Sequence, residues 1–197
     1  LPIYRTEFDD PREVPGTVSD TLSGTMLAMA AMAALLQKSR NGVTEAVRST
    51  MVASNMWYQY LPIARYANDG QVPMPMTRER AQNPLVQRYM CADGRWFYST
   101  QATNSDPHWP AMCTVLGIEH LQHDPRFHNM EARRQHCVEL VRILDEVFAQ
   151  HPASHWETLY HDHGLWGSPI NDYEHLVRDP EVLDNGFLQT TPSGGKV

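Results

Sequence analysis

A single aspartate, Asp20, stands in the stretch Val-Ser-Asp-Thr-Leu-Ser-Gly at 18–24, which is followed by a segment rich in alanine and methionine from Thr25 to Gln37. A carboxylate held beside the free N–H groups of a helix start can act as a nucleophile or carry a proton. Asp is also a preferred helix N-cap, since its side-chain oxygen accepts a hydrogen bond from a first-turn N–H group. The position of Asp20 therefore fits either role, and by itself it favours the structural cap.

The ten histidines raise the question of a metal site. Their densest groups are His161 with His163 and His151 with His155. His161 and His163 would point to different faces of a helix, and Pro152 lies inside the other pair. Because neither group supplies the three or four ligands that zinc requires, we expect no metal site.

The three cysteines, Cys91, Cys113 and Cys137, are widely spaced and form no Cys-x-x-Cys pair. This usage is typical of a reducing cytoplasm rather than of a disulfide framework. None of the three has the helix-start or basic context that activates a thiolate, so we predict buried structural thiols. The chain also has no P-loop, no Gly-x-Gly-x-x-Gly and no Gly-x-Ser-x-Gly elbow. The histidines, the cysteines and the search for these motifs therefore leave the function open.

The composition is that of an ordinary globular protein, with 197 residues, of which 42% are hydrophobic and 20% charged. A net charge of −7 disfavours nucleic acid or an anionic membrane as the main partner. The longest apolar run, Met26 to Leu36, is shorter than the about 20 residues that cross a bilayer, and we predict a cytoplasmic protein. Because the chain begins with Leu1 and ends in a turn-like segment, we expect a piece of a longer or processed protein.

The elements that must position Asp20 lie in the first 75 residues. The apolar spacing predicts a helix from Thr21 to Ser39, with Gly42 as its C-terminal stop. A short strand at 44–50 and a second helix at 51–66, kinked or ended by Pro62, are predicted to follow. The proline-rich connection at 68–84 predicts a boundary between two parts.

The second part combines helices with a small sheet. Asp93-Gly94 predicts a hairpin between strands at 87–91 and 95–99. Further helices are predicted at 107–116, 130–150, 154–163 and from 172 onward, with Asp106 as the cap of the first. Further strands are predicted at 165–170 and 187–190. The predicted class is α+β, with a helical segment followed by a small α+β domain that holds a short antiparallel sheet.

Four stretches carry motifs in a fixed order. The first is Ser-Asp-Thr-Leu-Ser-Gly at 19–24 with Ala-Ala-Leu-Leu at 33–36, and the second is Asn-Pro at 83–84 with Tyr-Met-Cys-Ala-Asp-Gly-Arg-Trp at 89–96. The third extends from His-Trp-Pro-Ala-Met-Cys at 108–113 through Asp-Pro-Arg-Phe at 124–127 to Arg133. The fourth is Gly-Ser-Pro-Ile-Asn at 167–171 with Asp-Pro-Glu-Val at 179–182 and Gly-Phe at 186–187. Together they resemble the class III CoA-transferases (the CaiB/BaiF family), which include formyl-CoA transferase and the α-methylacyl-CoA racemases.

The resemblance implies a catalytic role for Asp20, which occupies the position of the family's catalytic aspartate. In the implied route, Asp20 attacks an acyl-CoA thioester, and the mixed anhydride that forms is converted by the CoA thiolate into an aspartyl-CoA thioester. A carboxylic acid then takes the CoA by the same steps in reverse. The implied partners are an acyl-CoA and a carboxylic acid, in acyl-CoA metabolism, with CoA as a substrate and no permanently bound cofactor.

The resemblance also implies a domain organisation. Residues 1–75 would be a portion of a large α/β CoA-binding domain that carries the Asp20 helix, and residues 76–197 would be the linker and small domain. The nucleotide-binding half that precedes the aspartate in the family has no counterpart here, so no CoA-binding residue is assigned and activity is expected to require that half. The family's interlocked dimers make a second copy, or a complementary chain, the expected partner.

Two alternatives stay open beside the transferase. In an α-methylacyl-CoA racemase the same aspartate acts as an acid or base at the α-carbon, paired with a histidine from earlier in the chain. In racemases a glycine-rich run tends to follow the aspartate, whereas Thr-Leu-Ser-Gly at 21–24 is more similar to the sequence of a transferase. The other alternative is a non-catalytic fragment that needs a partner chain, because the apolar faces of the first helix would otherwise be exposed.

Overall fold

The chain forms two compact units, Leu1–Pro75 and Met76–Val197. The computed structural model describes residues 16–70, 77–101 and 106–195. Helices occur in both units, and the second unit adds an antiparallel sheet of three strands. This combination confirms the predicted α+β class.

The described residues of unit 1 form three helices, α1 (Val18–Asn41), α2 (Met51–Tyr58) and α3 (Tyr60–Asp69). The predicted stop at Gly42 is confirmed, because this glycine has a left-handed φ of 74° and its N–H donates to the carbonyl of Lys38. The predicted strand at 44–50 is wrong, since these residues pair with no strand. The segment instead ends in the cap of α2, where Thr50 Oγ1 accepts a hydrogen bond from the Ala53 N–H at 3.1 Å.

The single helix predicted for 51–66 is divided at Gln59. Pro62 is the third residue of α3, where its missing N–H breaks no helical hydrogen bond. In one continuous helix its ring would clash with the carbonyl of Tyr58, four residues before it. The break just ahead of Pro62 avoids this clash.

Unit 1 buries very little of its own surface. Ser54 is the one buried residue among residues 16–70, and α1 has no buried residue. With 24 residues, α1 is long and apolar enough to cross a membrane by length and composition, a property that core helices of soluble proteins share. The apolar character of α1 is therefore not explained by packing within unit 1.

In unit 2, residues 77–101 and 106–195 form the sheet and six α-helices. The strands are β1 (Gln87–Met90), β2 (Trp96–Ser99) and β3 (Gly167–Pro169), and the helices are α4 (Trp109–Val115), α5 (Met130–Gln135), α6 (Cys137–Phe148), α7 (Ala153–Asp162), α8 (Tyr173–Leu176) and α9 (Pro180–Asp184). β2 lies between its two antiparallel neighbours, with Tyr89 opposite Phe97 and Tyr98 opposite Ser168. The predicted hairpin is thus confirmed.

The core of unit 2 is built around Phe148, at the end of α6. Its ring centroid lies 4.8 Å from Tyr89, 5.6 Å from Phe97 and 5.0 Å from Trp156. Tyr160 of α7 meets Phe97 edge-on at 4.9 Å. These contacts join the sheet to α6 and α7, and aromatic burial of this kind supplies a large share of a small core's stability.

Three predictions for unit 2 are wrong in detail. The helix expected at 130–150 is divided at His136. Asp106 is not the cap of α4, because the cap position is His108; Asp106 lies in the 3-10 turn before it, and its carboxylate pairs with Arg133. The final strand at 187–190 is not formed as a strand, because the Phe187 N–H bonds back to the carbonyl of Val182 and completes the C-terminal cap of α9, and within this segment Thr190 alone makes a β-bridge.

Candidate active site

Asp20 lies in the first turn of α1, as the third residue after the cap position Thr17. The prediction that Asp20 is itself the N-cap is therefore wrong, because the helix begins three residues earlier than the apolar pattern indicated. The Asp20 side chain is exposed. The positive end of the helix dipole and the first-turn N–H groups favour negative charge at this position.

A sequence signal for the true helix start was present. Thr17 and Asp20 have the Thr-x-x-Asp spacing of a capping box, which marks the first turn of a helix. The Thr17 side chain forms no capping hydrogen bond, and its Oγ1 lies 3.4 Å from Thr21 Oγ1 instead. The spacing thus locates the turn, although neither side-chain hydrogen bond of the box is formed.

Polar contacts join the first two turns of α1 to α2 and the segment before it. Ser19 Oγ donates to Asn55 Oδ1 at 3.2 Å, and Asn55 Nδ2 donates to the carbonyl of Met51 at 2.8 Å. Ser49 Oγ donates to the carbonyl of Ser23 at 3.3 Å. Sequence reasoning missed these contacts, because helical periodicity does not identify partners 26 to 36 residues apart.

A cleft of about 480 Å³ opens beside this turn within unit 1. Its lining is mostly apolar, with a smaller polar part, and consists of Ser19, Met51, Val52, Asn55, Met56, Gln59 and Ile63. Ser19 directly precedes Asp20, so the candidate carboxylate is one residue from the lining. Methionine side chains adapt to ligands of varied shape, which suits such a surface.

The motif residues of unit 2 hold the fold together. Asn83 Oδ1 accepts a backbone N–H two residues further on at 3.0 Å, and the Tyr89 hydroxyl donates to the carbonyl of Pro84 at 2.6 Å. Asp93 Oδ2 accepts from the N–H that begins α7 at 3.1 Å. These three residues of the second motif therefore form turns and caps of unit 2.

Arg133, which closes the third motif, is fully buried. Its guanidinium pairs with Asp106, donates to the carbonyl of Phe127 at 2.8 Å and lies 5.1 Å from the ring of Trp109. Burial lowers the pKa of Arg133 below its usual range. Because removing Asp106 would leave the buried guanidinium without its carboxylate partner, this arrangement is structural.

The histidines and cysteines of the described residues show no metal chemistry. No group of three or more His, Cys, Asp or Glu side chains that could hold an ion occurs in this part of the chain. The rings of His151 and His155 stack at 4.1 Å. Cys91, Cys113 and Cys137 are buried free thiols, as predicted, and burial raises the pKa of Cys91 to about 11 and that of Cys113 to about 12.

Known proteins with similar sequences are CoA-transferases by name. The chain is 27% identical over 181 residues to the (R)-2-hydroxy-4-methylpentanoate CoA-transferase of Clostridioides difficile, covering 90% of this chain and 44% of the relative. It is 28% identical over 173 residues to an acyl-CoA transferase of Fusarium pseudograminearum, covering 88% of this chain and 37% of the relative.

Solved structures agree in fold. The orthorhombic crystal structure of a Mycobacterium tuberculosis protein matches 98% of this chain and 50% of that one, with a TM-score of 0.80 at 24% identity. The chain thus spans half or less of the length of each of these proteins. The sequence model of CoA-transferase family III matches residues 4–197, and the chain therefore belongs to this family.

Proposed function

We propose that this chain takes part in moving CoA from an acyl-CoA to a carboxylic acid, with Asp20 as the nucleophile. The observation that carries the proposal is an exposed carboxylate in the first turn of α1, within the stretch that resembles the family's catalytic motif. The names of the two relatives given above support a transferase over a racemase. Among the possible acyl-CoA and carboxylic acid substrates, those with an apolar acyl group would suit the cleft beside Ser19.

The proposed chemistry divides one exchange into two covalent halves. Asp20 attacks the thioester carbonyl, expels the CoA thiolate and forms a mixed anhydride. The thiolate then attacks the Asp20 carbonyl carbon, which releases the donor carboxylate and leaves an aspartyl-CoA thioester. The acceptor carboxylate reverses these steps, regenerates Asp20 and leaves as the new acyl-CoA. First-turn N–H groups would stabilise negative charge on the reacting oxygens.

We also propose that unit 1 is a portion of a larger CoA-binding domain and needs a cover for its apolar surface. Met29, Met32 and Leu35 of α1 are 57%, 63% and 66% exposed. Exposed apolar surface of this extent marks an interaction site. The proposed cover is the nucleotide-binding half of the fold or a second copy in an interlocked dimer, and activity would require it. A cytoplasmic location is proposed from the three reduced cysteines.

The test of Asp20 is intact mass spectrometry after mixing the enzyme, with any further chain that its activity requires, with acyl-CoAs. The expected result is a CoA-sized adduct on Asp20 that hydroxylamine removes. Asp20→Ala should form no adduct and lower turnover by at least about 10³-fold, because the covalent route is lost.

Asp69→Ala is the matched control, since Asp69 is an exposed aspartate at the end of α3. It should leave turnover unchanged. Full transfer activity in Asp20→Ala would contradict the proposal. Deuterium exchange at the α-carbon of a 2-methylacyl-CoA, without any adduct, would identify a racemase instead.

A further inference from the structure

The turn that carries Asp20 lacks the usual means of holding a helix start. The first N–H groups of any helix have no partner within the helix, and helix ends fray unless they are capped. The cap residue Thr17 makes no side-chain capping bond. In the described residues the Asp20 carboxylate has no side-chain hydrogen bond, so its position depends on the backbone of this turn.

Hydrogen bonds from α2 and from the segment that precedes it hold this turn in place of a cap. Ser19 Oγ donates to Asn55 Oδ1 at 3.2 Å, and the amide of Asn55 is itself fixed through the carbonyl of Met51. One turn further on, the carbonyl of Ser23 accepts from Ser49 Oγ, which lies 3.4 Å from Oγ of the buried Ser54. The two tethered positions of α1 therefore lie on either side of Asp20 in the chain.

Helix geometry explains why this arrangement leaves the carboxylate accessible. Ser19 and Ser23 are four residues apart and share the face of α1 that meets α2. Asp20 follows Ser19 by one residue, which is about 100° around the helix axis. The bonds can therefore fix the turn without covering the Asp20 side chain, which is exposed.

We propose that Ser19 and Asn55 are positioning residues for Asp20: their hydrogen bond fixes the first turn of α1 on α2 and so sets the place of the attacking carboxylate. The inference rests on the proposed role of Asp20. Attack on a thioester requires the oxygen and the carbonyl carbon in near-attack geometry, and a misplacement of about 1 Å costs on the order of 10²-fold in rate.

The first test compares three variants in the enzyme with any further chain that its activity requires. Ser19→Ala should lower kcat and the rate of adduct formation by about 10- to 100-fold, with KM for the acyl-CoA changed by less than about twofold. Ser19→Thr keeps the hydroxyl donor and should restore most of kcat. Ser39→Ala, at the exposed far end of the same helix, is the control and should behave as the unaltered enzyme.

The second test is a double-mutant cycle with Asn55→Ala, which removes the acceptor instead of the donor. If both residues act through one bond, the double variant should lose no more rate than either single variant. Amide hydrogen exchange at residues 21–24 should be faster in both single variants than in the unaltered protein, which gives a readout that does not depend on turnover.

The outcomes separate this inference from the proposed function. Wild-type kcat in Ser19→Ala, together with an inactive Asp20→Ala, would overturn the positioning role and leave Asp20 as the nucleophile. Additive rate losses in the cycle, or no rescue by Ser19→Thr, would also overturn it. Activity in Asp20→Ala would overturn the proposed function itself.

Discussion

At the scale of single residues, burial decides the chemistry of the cysteines. Cys91, Cys113 and Cys137 all lie buried in unit 2, and desolvation raises the pKa of each thiol. Because the thiolate is the reactive form, a raised pKa suppresses nucleophilic chemistry at neutral pH. These side chains therefore act as small apolar groups of the core.

We expect that iodoacetamide modifies none of the three cysteines in the folded protein under conditions in which a free thiol reacts fully. All three should react once denaturant unfolds the chain, and the unfolded sample serves as the positive control. Intact mass reports the number of adducts. Rapid modification of any cysteine in the folded state would contradict this prediction.

At the scale of elements, β3 depends on a residue without a side chain. A Cβ at Gly167 would lie 2.6 Å from Cε1 and 2.7 Å from Cζ of Phe97, and 2.8 Å from Cδ1 of Tyr160. Both rings belong to the buried core. The close approach of β3 to this pair of rings therefore requires glycine at this position.

We predict that Gly167→Ala lowers the free energy of unfolding by about 1–3 kcal/mol, because the added methyl group overpacks the core. Ser168→Ala is the control, since Ser168 is the exposed neighbour on the same strand, and should change stability by less than about 0.5 kcal/mol. Denaturant unfolding of the two variants measures the difference. Equal midpoints would show that the rings move aside at little cost.

The two units differ at the scale of the whole molecule in how much they bury. Unit 2 has a continuous aromatic and aliphatic core, whereas Ser54 is the one buried residue among residues 16–70. Stability in water comes mainly from apolar area removed from solvent. Unit 2 therefore buries enough apolar surface to fold alone, whereas residues 16–70 of unit 1 do not.

We expect residues 76–197, produced alone, to unfold in one cooperative thermal transition. Residues 1–75 alone should show no cooperative transition, because three helices without a core are marginal in water. Calorimetry on each piece measures this. Cooperative melting of residues 1–75 by themselves would contradict the proposal that this surface needs a cover.

Local signals of the sequence predicted several elements correctly. The stop at Gly42 and the hairpin at Asp93-Gly94 depend on backbone conformations that glycine adopts easily, and both are confirmed. The strand at 44–50 was predicted from residue types alone and is wrong, because a strand needs a partner that the segment does not have. The division of the 130–150 helix at His136 had no local signal.

The candidate site likewise has features that local sequence patterns predicted and features that only the structure shows. The sequence by itself determined the α+β class and the place of Asp20 at the start of an apolar helix, because these depend on patterns within a few turns of chain. It also determined the family, because the order of motifs along the chain is read without any structure. Only the tertiary structure decided that Asp20 is a first-turn residue rather than the cap, that Ser19 pairs with Asn55, and that Asp106 pairs with Arg133. These partners lie 27 to 36 residues apart, and it is packing, not sequence periodicity, that brings such distant groups together.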